Sequence, residues 1–201
     1  MKKIIVMVTA IMMAATTVSA QEEENFKHEV AVSYGGMSNS MWMTIGETLG
    51  TVIGTLGAIR YDDGSFTGPL ALEYFYHINP VVGIGAVGVY GQEKQDMFIG
   101  NSPWGEAKNT YVSVLPAAKF NYLRKKYFGM YSKVAVGVTF RTQKEDYPNS
   151  SSQEDVSKSK VLFNWQVTGL GVEAGSQNIR AFVELGIGEQ GMALAGLRCK
   201  F

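Results

Sequence analysis

The last ten residues of the chain, 192–201, alternate strictly between two kinds of side chain. One side is apolar throughout and carries Ala193, Ala195, Leu197, Cys199 and Phe201. The other side ends in the basic residues Arg198 and Lys200. Because successive side chains of a strand point to opposite faces, this segment predicts a β-strand with one wholly apolar face. A soluble sandwich rarely finishes on such a strand with an aromatic residue at its end.

The first twenty residues predict a cleaved signal peptide. Lys2 and Lys3 precede an apolar run over 4–15, and residues 18–20, Val-Ser-Ala, match the small-residue cleavage rule. The apolar run is about a dozen residues long, which is too short for a membrane-spanning helix. We therefore expect export and a mature domain over 21–201.

Composition excludes several classes of protein. Eighteen basic residues balance eighteen acidic ones, so the chain has no basic excess with which to bind nucleic acid. Cys199 is the only cysteine, which rules out an intrachain disulfide despite export. After the signal, no apolar run reaches the roughly 18 residues of a spanning helix.

Alternation with a period of two predicts eight strands. They cover 28–35, 67–78, 81–93, 110–122, 127–141, 161–174, 179–188 and 192–201. The alternation slips at 169–171, which predicts a bulge. The connections after the second, fourth and sixth strands are tight, whereas those over 36–66, 94–109 and 142–160 are long. Short turns at one end and long loops at the other are typical of membrane barrels.

Aromatic residues mark both ends of the predicted strands on the apolar face. One set consists of Tyr76, Phe120, Tyr122, Phe128 and Phe201, and the opposite set of Tyr34, Tyr90, Phe140 and Phe163. Two aromatic rings around an aliphatic band are the pattern that a bilayer favours.

Taken together, these features resemble the eight-stranded Gram-negative outer-membrane barrels of the OmpA-barrel and OmpX type. The resemblance implies an all-β, antiparallel, up-and-down transmembrane barrel in the cell outer membrane, with both termini in the periplasm. It implies contact with outer-membrane lipid and lipopolysaccharide, a monomeric state, and recognition of Phe201 by the barrel-assembly machinery.

The predicted inward face is charged. It carries Glu29, Glu73, His77, Lys119, Lys133, Arg141, Arg180, Glu184, Arg198 and Lys200, with Glu173 added if the bulge is present. Eight strands leave an interior just wide enough for side chains, so these charges should pair and plug the barrel. This predicts a structural or surface-interaction role. A narrow channel for small solutes and a soluble, lipocalin-like periplasmic binding barrel remain alternatives.

No catalytic, metal-binding or cofactor-binding set is predicted. The two histidines, His28 and His77, fall near the same end of the predicted barrel but on opposite faces, with no third histidine or nearby cysteine. The expected use of His77 is a pairing with Glu29. Cys199 is expected to act as a small apolar side chain on the outer face.

The first long loop contains an apolar stripe at helical spacing: Trp42, Ile45, Leu49, Val52, Ile53 and Leu56. A second stripe consists of Gly46, Gly50 and Gly54. The apolar stripe predicts a short amphipathic helix that lies against the barrel rim or on the membrane surface. The glycines disfavour a helix, so an irregular strand extension competes with it. The polar loop over 143–159 is expected to be solvated, and its ligand, if any, is not specified by the sequence.

Overall fold

The computed structural model describes residues 26–55, 59–99, 102–146 and 156–201. It contains eight strands and one helix in these ranges. The predicted signal peptide and the stripe residue Leu56 lie outside the described residues. The elements are β1 (His28–Gly36), α1 (Asn39–Gly54), β2 (Ile59–His77), β3 (Val82–Ile99), β4 (Ser102–Arg124), β5 (Phe128–Asp146), β6 (Val156–Gly175), β7 (Ile179–Gly188) and β8 (Ala193–Lys200).

The eight strands form a closed antiparallel barrel in sequence order. β1 pairs with β8 from Glu29 opposite Lys200 to Gly36 opposite Ala193, which closes the cylinder. Backbone hydrogen bonds of 2.9 Å in both directions join His28 to Phe201. The chain therefore enters and leaves the barrel at one end, here called the terminal end, and the opposite end is called the helix end. The predicted fold class is confirmed.

The strands all begin or end at about the same level at the terminal end, but they extend to different heights at the helix end. β1, β7 and β8 have 9, 10 and 8 residues, whereas β2 to β6 have 18 to 23. The predicted bounds of the five long strands were therefore wrong, because much of the three expected loops continues the strands. Polar pairs such as Lys94 opposite Lys108 extend the ladder, since backbone hydrogen bonding does not depend on side-chain polarity.

The facing of the strands follows the predicted alternation. Val134, Val136 and Val138 on β5 are exposed, whereas Lys133 and Arg141 on the same strand are buried. Both predicted aromatic sets lie on the outer face, and all of their members except the half-buried Tyr122 are exposed. The first set lies near the terminal end of the strands, whereas Tyr90, Phe140 and Phe163 of the second set lie within the long strands, which continue beyond them. The outside of the cylinder is thus apolar between two aromatic girdles, and the polar residues line the inside.

The predicted bulge in β6 is present. The β6–β7 register shifts between Thr168 and Leu170, and the shift turns Glu173 into the barrel, where it is 2% exposed. Gly171 is required here, because a Cβ at this position would lie 2.4 Å from the ring of Tyr131.

The helix predicted in the first loop is present as α1, so the competing strand extension was wrong. Ser38 caps it by accepting a hydrogen bond from the Met41 amide at 3.2 Å. Among the described residues, no helix is long and apolar enough to cross a membrane.

Candidate functional site

The interior of the barrel is lined by ionic side chains, most of which form one connected network. The structure places the charged residues predicted for the lumen on its inner face, buried except for the half-buried His77: Glu29, Glu73, His77, Lys119, Lys133, Arg141, Arg180, Glu184, Arg198 and Lys200. Each projects inward because alternate side chains of a strand point to opposite faces, and its neighbours along the strand are mostly the apolar side chains of the outer face.

Glu29 is the acceptor at the terminal end of the network. Lys119 donates to both of its carboxylate oxygens at 2.7 and 2.9 Å. The Nε of Arg198 lies 2.8 Å from Glu29, and Nε2 of His77 lies 3.2 Å away. The predicted His77–Glu29 pairing is thus present in the structure. Three cationic or polar partners around one carboxylate compensate for its removal from water.

Glu173, brought inward by the bulge, accepts hydrogen bonds from three basic side chains. Arg180 donates from Nη1 at 2.9 Å, and Arg198 and Lys200 each donate a short hydrogen bond. Arg180 also donates to the backbone carbonyls of Lys125 and Lys126. The network therefore ties the turn between β4 and β5 to β7 and β8.

Lys133 bridges two carboxylates in the middle of the barrel. It lies 2.5 Å from Glu73 and 2.9 Å from Glu184. Tyr131 and Thr168 both donate hydroxyl hydrogen bonds to Glu184 at 2.7 Å. The buried carboxylate of Glu184 thus accepts hydrogen bonds from one cation and two hydroxyl groups.

Arg198 connects Glu29 and Glu173 at the terminal end to Glu73 and Glu184 in the middle of the barrel, because it lies within 4 Å of all four carboxylates. Its guanidinium carbon lies 4.2 Å from the ring centre of Phe182 and 4.5 Å from that of Tyr131. Aromatic faces attract a cation at such distances. The planar guanidinium is therefore held by ring contacts as well as by carboxylates.

The turn between β7 and β8 folds back into the barrel. Gly188 and Gly191 adopt φ angles of 143° and 106°, which glycine tolerates because it has no Cβ. The intervening Glu189 and Gln190 are 2% and 1% exposed. Gln190 donates to Glu73 at 2.6 Å.

Glu189 joins the barrel wall to the start of α1. It accepts hydrogen bonds from the Ser40 hydroxyl at 2.6 Å, from Ser113 at 2.8 Å and from Asn164 at 2.8 Å. Thr139 completes this cluster through Ser113 at 2.7 Å. A buried carboxylate that accepts several hydrogen bonds fixes the position of its donors.

The polar face of α1 contacts the inner wall. Thr44 is hydrogen-bonded to the Tyr111 hydroxyl at 2.5 Å, and Glu47 forms a bidentate pair with Arg141 at 2.7 and 2.6 Å. The hydrogen bond from Arg141 holds the pKa of Glu47 below its usual range. Arg141 is thus separate from the central network and instead anchors the helix.

Of the two locations predicted for the apolar stripe of this helix, the barrel rim was wrong, and the membrane surface stays a prediction. Trp42, Ile45, Leu49 and Ile53 are exposed. The inner wall opposite α1 is polar, so the helix docks through its hydroxyl and carboxylate side chains. Gly46, Gly50 and Gly54 are likewise unpacked, because a Cβ at any of them would meet nothing within 4 Å.

Small cavities remain at both ends of the barrel. One of about 90 Å³ lies between α1 and the wall, beside Thr48, Gln95 and Arg141. Another of about 20 Å³ lies at the terminal end, beside His77, Asn121 and Lys200. About 10–15 Å³ of such space holds one water molecule, whereas a cavity that binds benzene has about 150 Å³, so these cavities suit waters rather than an organic solute.

The remaining candidates show no catalytic arrangement. His28 faces outward, with Nδ1 2.9 Å from the Tyr74 hydroxyl and its ring stacked on Phe201 at 5.6 Å. Within the described ranges, no three metal-binding side chains cluster. Cys199 is an exposed free thiol on the outer face.

Several interior residues escaped the sequence reasoning. Glu189 and Gln190 lie in a short turn, and Glu47 lies in a presumed loop, so none of them belongs to an alternating segment. The flanking glycines, Gly188 and Gly191, were the available signal for an inward turn. Tyr131 was not assigned a role, because an uncharged aromatic side chain in a strand gives no signal of one.

A closed cylinder of eight antiparallel strands, apolar outside and ionic inside, has the architecture of a transmembrane β-barrel. The crystal structure of Ail, the attachment invasion locus protein of Yersinia pestis, is similar, with a TM-score of 0.47 and 15% sequence identity. The match covers 88% of this chain and 99% of that chain. No family model and no curated protein matches the sequence. The fold class stands on the strand pairing and the exposure pattern themselves.

Proposed function

We propose that this protein is an outer-membrane barrel with a closed lumen and a structural or surface-interaction role. The observation that carries the proposal is the ionic network across the interior, in which Glu29, Glu173 and Glu184 each bind at least one buried basic side chain. Transport and catalysis are not part of the proposed role.

The network supports closure for an energetic reason. A solute that passed through an eight-stranded barrel would have to displace side chains that fill its interior. Separating Lys133 from Glu73 and Glu184 would leave buried charges without partners, and breaking such a pair costs about 3–5 kcal/mol. Each further pair on the path adds to this barrier.

The location in a membrane is supported by the exterior. Exposed aliphatic side chains such as Val136, Val183 and Leu197 would be costly against water over so large a continuous surface. A soluble, lipocalin-like barrel needs the reverse distribution, with apolar side chains inside. Outer-membrane location, periplasmic termini, contact with lipopolysaccharide, recognition by the assembly machinery and a monomeric state remain predictions.

Conductance in planar bilayers tests the closed lumen. The wild-type barrel should show no stable single-channel steps, whereas the double variant Glu73→Ala, Lys133→Ala should show them because it removes a bridge across the centre. Stable steps from the wild type would refute closure and favour the narrow-channel alternative. Heat-modifiable migration of the membrane-extracted protein, which is expected of a folded barrel, provides the control that both samples are folded.

A further inference from the structure

The exposed stripe of α1 is an apolar surface at the helix end of the barrel that the closed lumen does not explain. Trp42, Ile45, Leu49 and Ile53 are 51%, 36%, 57% and 72% exposed. Their spacing of three, four and four residues places them on one face of the helix. The only charged side chain of α1 is Glu47, and it is held by Arg141.

The stripe is exposed because the wall opposite it is low. The polar face of α1 contacts Tyr111 on β4 and Arg141 on β5. In a closed eight-stranded barrel, β8 lies across from β4. At the helix end, β7 stops at Gly188, β8 begins at Ala193 and β1 stops at Gly36. None of these three strands therefore covers the outer side of the helix.

The short strands match the thickness of a membrane. Strands of 8 to 10 residues, at about 3.3 Å per residue and a tilt of 35–45°, span roughly 20–25 Å. The apolar band of a membrane barrel is about 25 Å tall. The wall formed by β7, β8 and β1 therefore ends at the membrane face, and the stripe begins just above it.

Contacts with β4 set the level of the helix. Thr44 is bonded to Tyr111, and the next residue, Val112, pairs on the outer face with Tyr90 and Phe140 of the aromatic girdle. The start of α1 is thus level with the girdle. Ser40 shares Glu189 with Ser113, whereas the cavity beside Thr51 is lined by Asn109 and Ala107. The helix therefore rises along β4, away from the bilayer centre.

We propose that Trp42, Ile45 and Leu49 insert into the interfacial layer of the leaflet at the helix end, over the low side of the wall. The stripe continues the lipid-facing surface of the barrel, because exposed Tyr34 on β1 and exposed Met192 before β8 lie at the edge from which the helix starts. Tryptophan favours this layer, since its ring is apolar and its N–H is polar. Ile53, one helical turn beyond Leu49, lies at the boundary between this interfacial layer and water.

The size and charge of the stripe favour lipid over a protein partner. A stable protein interface buries about 800 Å² on each side, which is more than four side chains on one helix supply. The stripe also offers no free charge with which to select a partner. Insertion into an interface needs neither property, because burial of apolar area alone drives it.

Spin-label accessibility tests the proposal. In the full chain carrying Cys199→Ala, a nitroxide is attached to Trp42→Cys, Ile45→Cys, Leu49→Cys or Ile53→Cys after reconstitution into vesicles. The ratio of collisions with oxygen to collisions with a water-soluble nickel chelate should fall steadily from position 42 to position 53. Val136→Cys supplies the value in the membrane, and Lys94→Cys, on the outside of the tall wall, supplies the value in water.

A quenching experiment keeps the native tryptophan. With Trp104→Phe and Trp165→Phe, Trp42 is the only tryptophan, and lipids brominated near the headgroup should quench it while aqueous iodide should not. Nickel access at positions 42, 45 and 49 equal to that at position 94 would overturn the proposal. Shielding of Trp42 from both the brominated lipid and iodide would also overturn the proposal if it disappeared at a low protein-to-lipid ratio. That result would mean that a second copy of the protein covers the stripe.

Discussion

Replacement of Arg198 by methionine tests whether the lumen network is one unit. The guanidinium of Arg198 is fully buried between Phe182 and Tyr131 and contacts Glu29 and Glu173. Methionine can still pack on both rings, so the change removes mainly the charge. Two carboxylates then lose their shared cation, and loss of one partner from a buried ion pair destabilises by about 3–5 kcal/mol.

Urea unfolding in lipid vesicles, followed by tryptophan fluorescence, measures this loss. Leu197→Met, at the next position on the lipid-facing side, is the matched control and should change the free energy of unfolding by less than about 1.5 kcal/mol. Adding Glu173→Gln to Arg198→Met should deepen the loss, because Glu173 is also the carboxylate partner of the buried Arg180 and Lys200. A cost for Arg198→Met no larger than that of the control, or a double variant at least as stable as Arg198→Met alone, would refute the reasoning.

Three further predictions concern the membrane band, assembly and the helix. Val136→Arg should lower the free energy of unfolding in vesicles by about 2–4 kcal/mol. Thr142→Arg, on the same strand but beyond the aromatic girdle, should lower it by about 0–1 kcal/mol. Equal costs would contradict the assignment of Val136 to the lipid-facing band. Deletion of Phe201 should reduce the amount of assembled barrel seen by heat-modifiable migration, and unchanged amounts would count against its role as an assembly signal. Because the pKa of Glu47 is lowered by its hydrogen bond from Arg141, its ionised form stabilises helix docking above the ordinary pKa of a glutamate, and this contribution is lost as the pH falls through the lowered value. A spin label on the helix should therefore become mobile on acidification, whereas Glu47→Gln should remove that pH dependence.

The sequence was most informative where the two faces of a strand meet different surroundings. Within the membrane band, lipid on one side and a narrow interior on the other impose a strict alternation, as in Val134, Val136 and Val138 against Lys133. Strand number, facing and the charged lining followed from that contrast. The bulge was visible for the same reason, because it interrupts the alternation.

Prediction failed where the two faces of a strand have similar surroundings. Beyond the girdle both faces of β3 and β4 are polar, so the pairs Lys94–Lys108 and Asp96–Glu106 read as loop although they are strand. The sequence left the facing of α1 open between the barrel rim and the membrane surface, because an apolar stripe is usually buried against its own protein, whereas here the available wall is polar. Glu189 was missed because turn residues are expected to face solvent.

The inward turn between β7 and β8 also determines where this molecule tolerates foreign sequence. Most hairpins of a surface-exposed barrel are natural places to insert an epitope tag, because their tips contact little. The β7–β8 hairpin is the reverse, since Glu189 and Gln190 at its tip are hydrogen-bonded to Ser40 and Glu73 within the lumen. A peptide inserted into that hairpin would displace Glu189 and Gln190 from the lumen. Display of a foreign peptide on this protein therefore has to use the loops that join the long strands β2 to β6 at the helix end.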